Sequence, residues 1–140
     1  MRAQDPEHWL YRHTPREWLR AALGELEQAK RAYAAHNGRA GLAGCRRAAG
    51  VALNGWLATL DAVPDAYGRS YMDHLAGLID DTGAPEAAHA AARVLRQTPL
   101  PGGDLVALRT PTTDGTALDA AETVMAHAYA GVVRSEADEP

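Results

Sequence analysis

Arg46 and Arg47 are neighbours in a helical pattern, with Arg39 two turns earlier, and their type and spacing suggest one kind of chemistry. A guanidinium offers a rigid fork of donors to a phosphate or carboxylate, and the helix N-terminus close by favours an anion as well. Consecutive charges on a helix also make an ordinary solvated edge, and both readings stand at this point. Arg93 with Arg96 carries the same two readings, with Glu86 as an intrachain partner for the second. His8, His13, His36, His89 and His127 show no ligand spacing with acidic partners on one helix face, so no metal site is expected and no cofactor is implied. There is no Ser-His-Asp arrangement, nucleotide-binding glycine loop or paired-carboxylate signature. Trp9, Leu10 and Tyr11 read as an N-terminal segment packed on the fold more readily than as a base-stacking platform.

These residues sit in a chain of 140, the size of one domain, and residues 1–140 are read as a single unit with an N-terminal segment at 1–13 and an acidic tail at 135–140. A net charge of -4 disfavours a constitutive grip on a phosphate backbone, which needs clustered cations. Nearly all the positive charge is arginine, Lys30 being the only lysine. Cys45 stands alone, which excludes an intramolecular disulfide and a cysteine-based zinc site. No run approaches the roughly 20 apolar residues of a membrane span, and Met1 to Pro6 does not resemble a signal peptide, so a soluble cytoplasmic protein is expected.

The positioning elements read as helices throughout. Thr14-Pro15-Arg16-Glu17 is a helix opening, with Thr14 to cap, Pro15 preset for the first turn and Glu17 able to close a capping box. Trp18, Leu19, Ala22, Leu23, Leu26, Ala29 and Tyr33 follow at the three-four spacing of one buried face. Asn37-Gly38 supplies a stop, and a second pattern runs from about Arg39 to Leu60 with Leu42, Cys45, Ala49, Leu53, Trp56, Leu57 and Leu60 on one side. A second stripe on it, Gly41, Gly44, Ala48, Ala52 and Gly55, is nearly free of side chain and predicts close neighbours on two sides. Each helical glycine costs roughly 0.5 to 1 kcal/mol relative to alanine, so something must repay it. Met72, Leu75, Leu78 and Ile79 mark a short third helix, and Pro85 and Glu86 open a fourth that runs through Gln97. Pro99 to Gly103 breaks the pattern, Asp104 to Arg109 is a turn or an extended link, and Thr110 to Gly115 reads as a loop. The last helix is expected to cap at Thr116 and to turn Leu118, Ala121, Val124, Met125, Ala128 and Val132 inward. The fold class is therefore all-α, an antiparallel up-down bundle of four to five helices.

In this layout the chain resembles the HEPN family of small helical nucleotide-associated domains. The resemblance rests on the Trp-Leu-bearing first helix, the glycine turn, and Arg47-Ala48-Ala49-Gly50-Val51-Ala52-Leu53-Asn54 where family members carry a Gln-Ala-Ala-Glu-like run. Tyr67-Gly68-Arg69-Ser70 resembles the family's Gly-His-Ser segment, and Leu108-Arg109-Thr110-Pro111 stands where an Arg-bearing link precedes the final helix. The likeness spans roughly residues 15 to 133, with Gly50 and Asn54 at positions where relatives often carry charge.

The resemblance implies a non-catalytic module, commonly a homodimer, that binds a nucleotide or a nucleotidyltransferase-like partner protein, as in toxin-antitoxin pairs. Arg39, Arg46, Arg47, Asn54 and Arg109 are the candidate contacts to such a ligand or partner. The alternative it implies is a metal-independent endoribonuclease with an Arg-x4-His motif, which Arg69 and His74 match. In that chemistry a neutral imidazole takes the proton from a ribose 2'-hydroxyl while the guanidinium steadies charge on the phosphorus oxygens of RNA. Five residues of helix rotate the two side chains about 140 degrees apart, so the pair converges only if Arg69 precedes the helix.

Overall fold

The computed structural model describes residues 9–99 and 111–138, which are helical with no strand among them. A 3-10 turn at Trp9–Arg12 comes first, its Leu10 fully buried and the Leu10 carbonyl accepting from Trp18 Nε1 at 2.8 Å. Helix α1 covers Pro15–Ala34. Its opening is a reciprocal capping box in which Glu17 N donates to Thr14 Oγ1 at 3.1 Å and Thr14 N donates to Glu17 Oε1 at 2.8 Å.

The turn into α2, Gly38–Leu57, is built differently from the expected glycine stop. His36 takes the left-handed conformation with φ 63°, and Asn37 instead opens α2, its Oδ1 accepting from Ala40 N at 3.1 Å. Helix α2 ends before Leu60, which is half-buried beyond it. A 3-10 turn at Asp65–Tyr67 leads to α3, Tyr71–Asp80, capped by a Ser70/Asp73 box. Helix α4 is Glu86–Gln97. The final helix, α5, covers Pro111–Ala137 and so begins before the expected Thr116 cap, taking in residues read as a loop. Proline's fixed φ suits a first helical turn. Gly115, the residue that made this stretch look broken, costs only about 1 kcal/mol inside a helix whose later turns bury Ala117, Ala121 and Val124. The breaks expected between Leu100 and Thr110 fall outside the described residues.

Packing repays the glycines of α2. A Cβ on Gly44 would lie 2.9 Å from Ala29 Cβ, one on Gly55 would lie 2.9 Å from the Pro15 carbonyl oxygen, and Gly41 lies against the Tyr33 ring. These pairings run in opposite order along α1 and α2, so the two helices form an antiparallel hairpin at close approach. Across α2, Gly50 receives the Tyr71 side chain of α3, and Trp56 lies against Gly131 of α5. The fully buried side chains Leu53, Leu57, Leu75, Leu78, Leu95, Val124 and Val132 fill the space between. One expected core position does not join them. Leu23 is 57% exposed, because α1 faces α2 with Ala22, Leu26 and Ala29 and leaves Leu23 beside α5, where the seam stays open.

Candidate functional site

Two residues expected to act in different roles meet in the interior. His74, on the first turn of α3, is fully buried, and Asn54 of α2 is 2% exposed. His74 Nδ1 lies 2.6 Å from the Tyr67 carbonyl oxygen and Nε2 lies 2.7 Å from the Asn54 side-chain oxygen position. Burial pushes the imidazole below its ordinary pKa, against the opposing pull of the Tyr67 carbonyl and Asp73. A neutral ring that donates from Nδ1 must accept at Nε2, so Asn54 presents its amide nitrogen there. The Trp9 ring covers the same imidazole, nearly parallel to it at 6.1 Å between centroids.

Arg69 precedes α3, as convergence with His74 requires, but it is exposed and its guanidinium lies 5.8 Å from the Trp9 ring centroid. The pair that matches the nuclease motif therefore meets through Trp9. Exposing His74 to a ribose hydroxyl would break two hydrogen bonds and remove an aromatic cover.

The arginines do not converge either. Arg46 Nε donates to the Leu95 carbonyl at 2.7 Å and Nη2 to the Thr98 carbonyl at 2.6 Å, closing the C-terminal end of α4. Partial burial draws its pKa down, and the carbonyl dipoles at that helix end suit a cation. Arg47, a hundred degrees further round α2, forms an ion pair with Glu25 of α1 at 2.8 Å. Arg39 is exposed near the start of α2, and Arg109 lies outside the described residues. The fold thus uses Arg46, Arg47 and Asn54 to join α2 to α4, α1 and α3 in turn.

The most apolar of the open recesses is a groove of about 460 Å³ between α1 and α5, floored by Ala52 of α2. Leu19, Leu23 and Leu26 line one side, Met125, Ala126 and Tyr129 the other. Leu23 and Tyr129, at 57% and 49% exposure, stand at its rim. At one end Arg16 forms a two-pronged ion pair with Glu136, 2.8 and 2.7 Å, and lies 5.3 Å from the Tyr129 ring centroid. Those contacts, the Glu136 hydrogen bond foremost, hold the Arg16 guanidinium above its ordinary pKa. Arg20 and Glu122 also line the groove. A recess of about 550 Å³ at the start of α1 is polar, but its Thr14 and Glu17 are committed to the capping box.

Sequence reasoning missed this groove because it placed Leu23 inside. The available signal was the width of the α1 stripe: Trp18, Leu19, Ala22, Leu23 and Leu26 cover more of the helix than one neighbour can bury. Among the described residues no three His, Cys, Asp or Glu side chains gather to hold a metal ion, and no helix is long and apolar enough to cross a membrane. No family model, curated protein or solved structure matches the chain.

Proposed function

We propose that this protein is a non-catalytic, HEPN-like up-down helical module that engages a protein partner through the groove between α1 and α5. The observation that carries the reading is the open apolar seam itself, with Leu23 and Tyr129 the two most exposed large apolar side chains among the described residues. Large apolar side chains left exposed together along a concave groove favour a docking face. The up-down arrangement is supported by the senses in which the long helices meet. Helix α1 runs against α2 through Gly44 and Ala29 and against α5 through Arg16 and Glu136, while the end of α4 meets Arg46 in the first half of α2.

A nucleotidyltransferase-like partner, a nucleotide or RNA is what the resemblance offers, and the groove favours a protein among these. Its lining is mostly aliphatic and aromatic, whereas three of the five residues expected to contact a ligand, Arg46, Arg47 and Asn54, are engaged within the chain. A cytoplasmic toxin-antitoxin setting belongs to the same proposal.

The test has two arms. Purified protein incubated with RNA in EDTA leaves the RNA intact, and Leu23→Glu removes most of the bis-ANS fluorescence seen with dilute wild-type protein while the helical circular dichroism is unchanged. Cleavage that disappears in His74→Ala would establish the ribonuclease alternative, and dye binding indifferent to Leu23→Glu would remove the groove from the proposal.

A further inference from the structure

Toward α4, helix α5 borders a second recess whose chemistry differs from that of the apolar groove. It measures about 470 Å³, and small side chains, Ala87 and Ala88 of α4 with Ala126 and Ala130 of α5, make its walls. Among the described residues its only ionisable lining is His127 and Arg134, so no carboxylate lines it in a chain of net charge -4. The two lie seven residues apart, two turns along one face of α5. Helical side chains lean toward the N-terminus, which carries the long Arg134 side chain back in the direction of His127.

His127 is half-buried beside the Trp56 ring, 5.8 Å between centroids. His74 and His89 each engage both ring nitrogens within the chain, whereas neither nitrogen of His127 has a hydrogen-bond partner among the described residues. Burial first, then the positive charge of Arg134, pushes its pKa below the ordinary value; Asp81 opposes this and His89 adds to it. The Asp81 carboxylate is itself held by the Tyr67 hydroxyl at 2.7 Å and by Gly83 N at 2.9 Å. Arg134 forms no ion pair among the described residues. The recess thus holds two groups that disfavour each other's charge, and an anion between them reverses that.

The lining also selects among anions. A guanidinium takes both oxygens of a carboxylate in its fork, and an imidazole N–H adds a third contact. Thr123 has spent its hydroxyl donor on the Asp119 carbonyl at 3.0 Å, which leaves few donors for a phosphate. No aromatic ring besides His127 lines the recess to stack on a nucleobase, and the alanines suit a short alkyl chain. We infer that the recess between α4 and α5 binds a small aliphatic carboxylate, its carboxyl group held by Arg134 and His127 and its chain lying along the alanines. The site is separate from the docking groove and does not rest on that reading.

Sodium hexanoate titrated into the full chain, with the His127 ring followed by NMR, tests it. The ring signals move to saturation with hexanoate and stay in place in sodium chloride of equal ionic strength. Arg134→Gln, at an exposed position, leaves the helical circular dichroism unchanged and raises the dissociation constant about tenfold, through loss of a charge-assisted pair. Leu23→Glu, in the other groove, leaves the constant unchanged, so failure of the docking face and failure of this site are distinguishable. A response that chloride reproduces, or one indifferent to Arg134→Gln, overturns the site. Inorganic phosphate binding more tightly than hexanoate overturns its assignment to an aliphatic acid.

Discussion

Helix α1 has two seams, and they are closed to different degrees. Toward α2 the contact is made through glycine: Gly44 sits on Ala29, Gly55 on the Pro15 carbonyl and Gly41 on the Tyr33 ring, with no room for even a methyl group. Toward α5 the same helix offers Leu19, Leu23 and Leu26, and the opposing side chains leave a groove of about 460 Å³. Both seams are apolar, so hydrophobicity does not distinguish them. Side-chain volume does. Where α2 gives up its side chains the backbones approach closely, and where α5 keeps Met125 and Tyr129 they are held apart. The closed seam belongs to folding, and the open one is the docking face proposed above.

The contrast between the seams breaks most visibly at Gly44. Leucine there must displace Ala29, whose Cα lies 3.2 Å from the position of an added Cβ, so backbone as well as side chain has to move. Overpacking of this kind costs about 3 kcal/mol, and Gly55→Leu belongs to the same class because its obstacle is the Pro15 carbonyl. Urea unfolding followed by circular dichroism measures it. A loss below about 1 kcal/mol would mean that this seam has slack like the other, and that close approach is not what keeps glycine in the helix.

Helix α3 adds a buried polar contact to its apolar packing on α2, and losing that contact should cost less than overpacking. Asn54→Ala deletes the partner of His74 Nε2 and leaves a buried ring nitrogen unsatisfied, for a loss of about 1 to 3 kcal/mol. The same contact gives the stability a pH dependence with a definite sign. Burial holds the folded-state pKa of His74 below the ordinary 6.5, so below pH 6.5 the unfolded chain binds a proton that the folded chain refuses, and stability falls. His127, also depressed by burial, adds in the same direction. His89 opposes them, since the Asp81 carbonyl and Glu86 raise its pKa. Urea midpoints measured from pH 7.5 to 5 therefore decline, and His74→Gln flattens the decline. An unchanged slope would place the titration elsewhere.

The closed seam was legible in the sequence and the open one was not. The stripe Gly41, Gly44, Ala48, Ala52 and Gly55 announced close neighbours because repeated glycine weakens a helix unless a neighbouring backbone comes near enough to use the space, and all five are buried. The capping box at Thr14 and Glu17 was equally plain, since it is local chemistry. Leu23 was misread because periodicity reports which residues share a face, and says nothing about whether the neighbour opposite reaches them. The start of α5 was missed for a related reason: Pro111 and Gly115 are turn residues by propensity, outweighed by the packing of the helix that follows. In the interior, Asn54 and His74 were each singled out, but 20 residues apart in sequence they carried no sign of being partners.

The smallest effect expected is also the one that separates the two seams without disturbing either. Gly24 lies on α1 between Leu23 and Glu25, and a Cβ added there meets nothing within 4 Å. Gly24→Ala therefore creates no contact and removes none within the chain. It stabilises α1 by lowering the entropy of the unfolded chain and restoring helix propensity, by about 0.5 to 1 kcal/mol. The same substitution at Gly44 is destabilising, because its methyl group meets Ala29. The opposite signs come from one chemical change on two sides of the same hairpin, so they measure the closure of the seam alone. If Gly24→Ala also destabilised the chain, something would have to lie against that part of α1. A partner seated on the neighbouring Leu23 is the candidate, and the loss would then grow with the concentration of that partner.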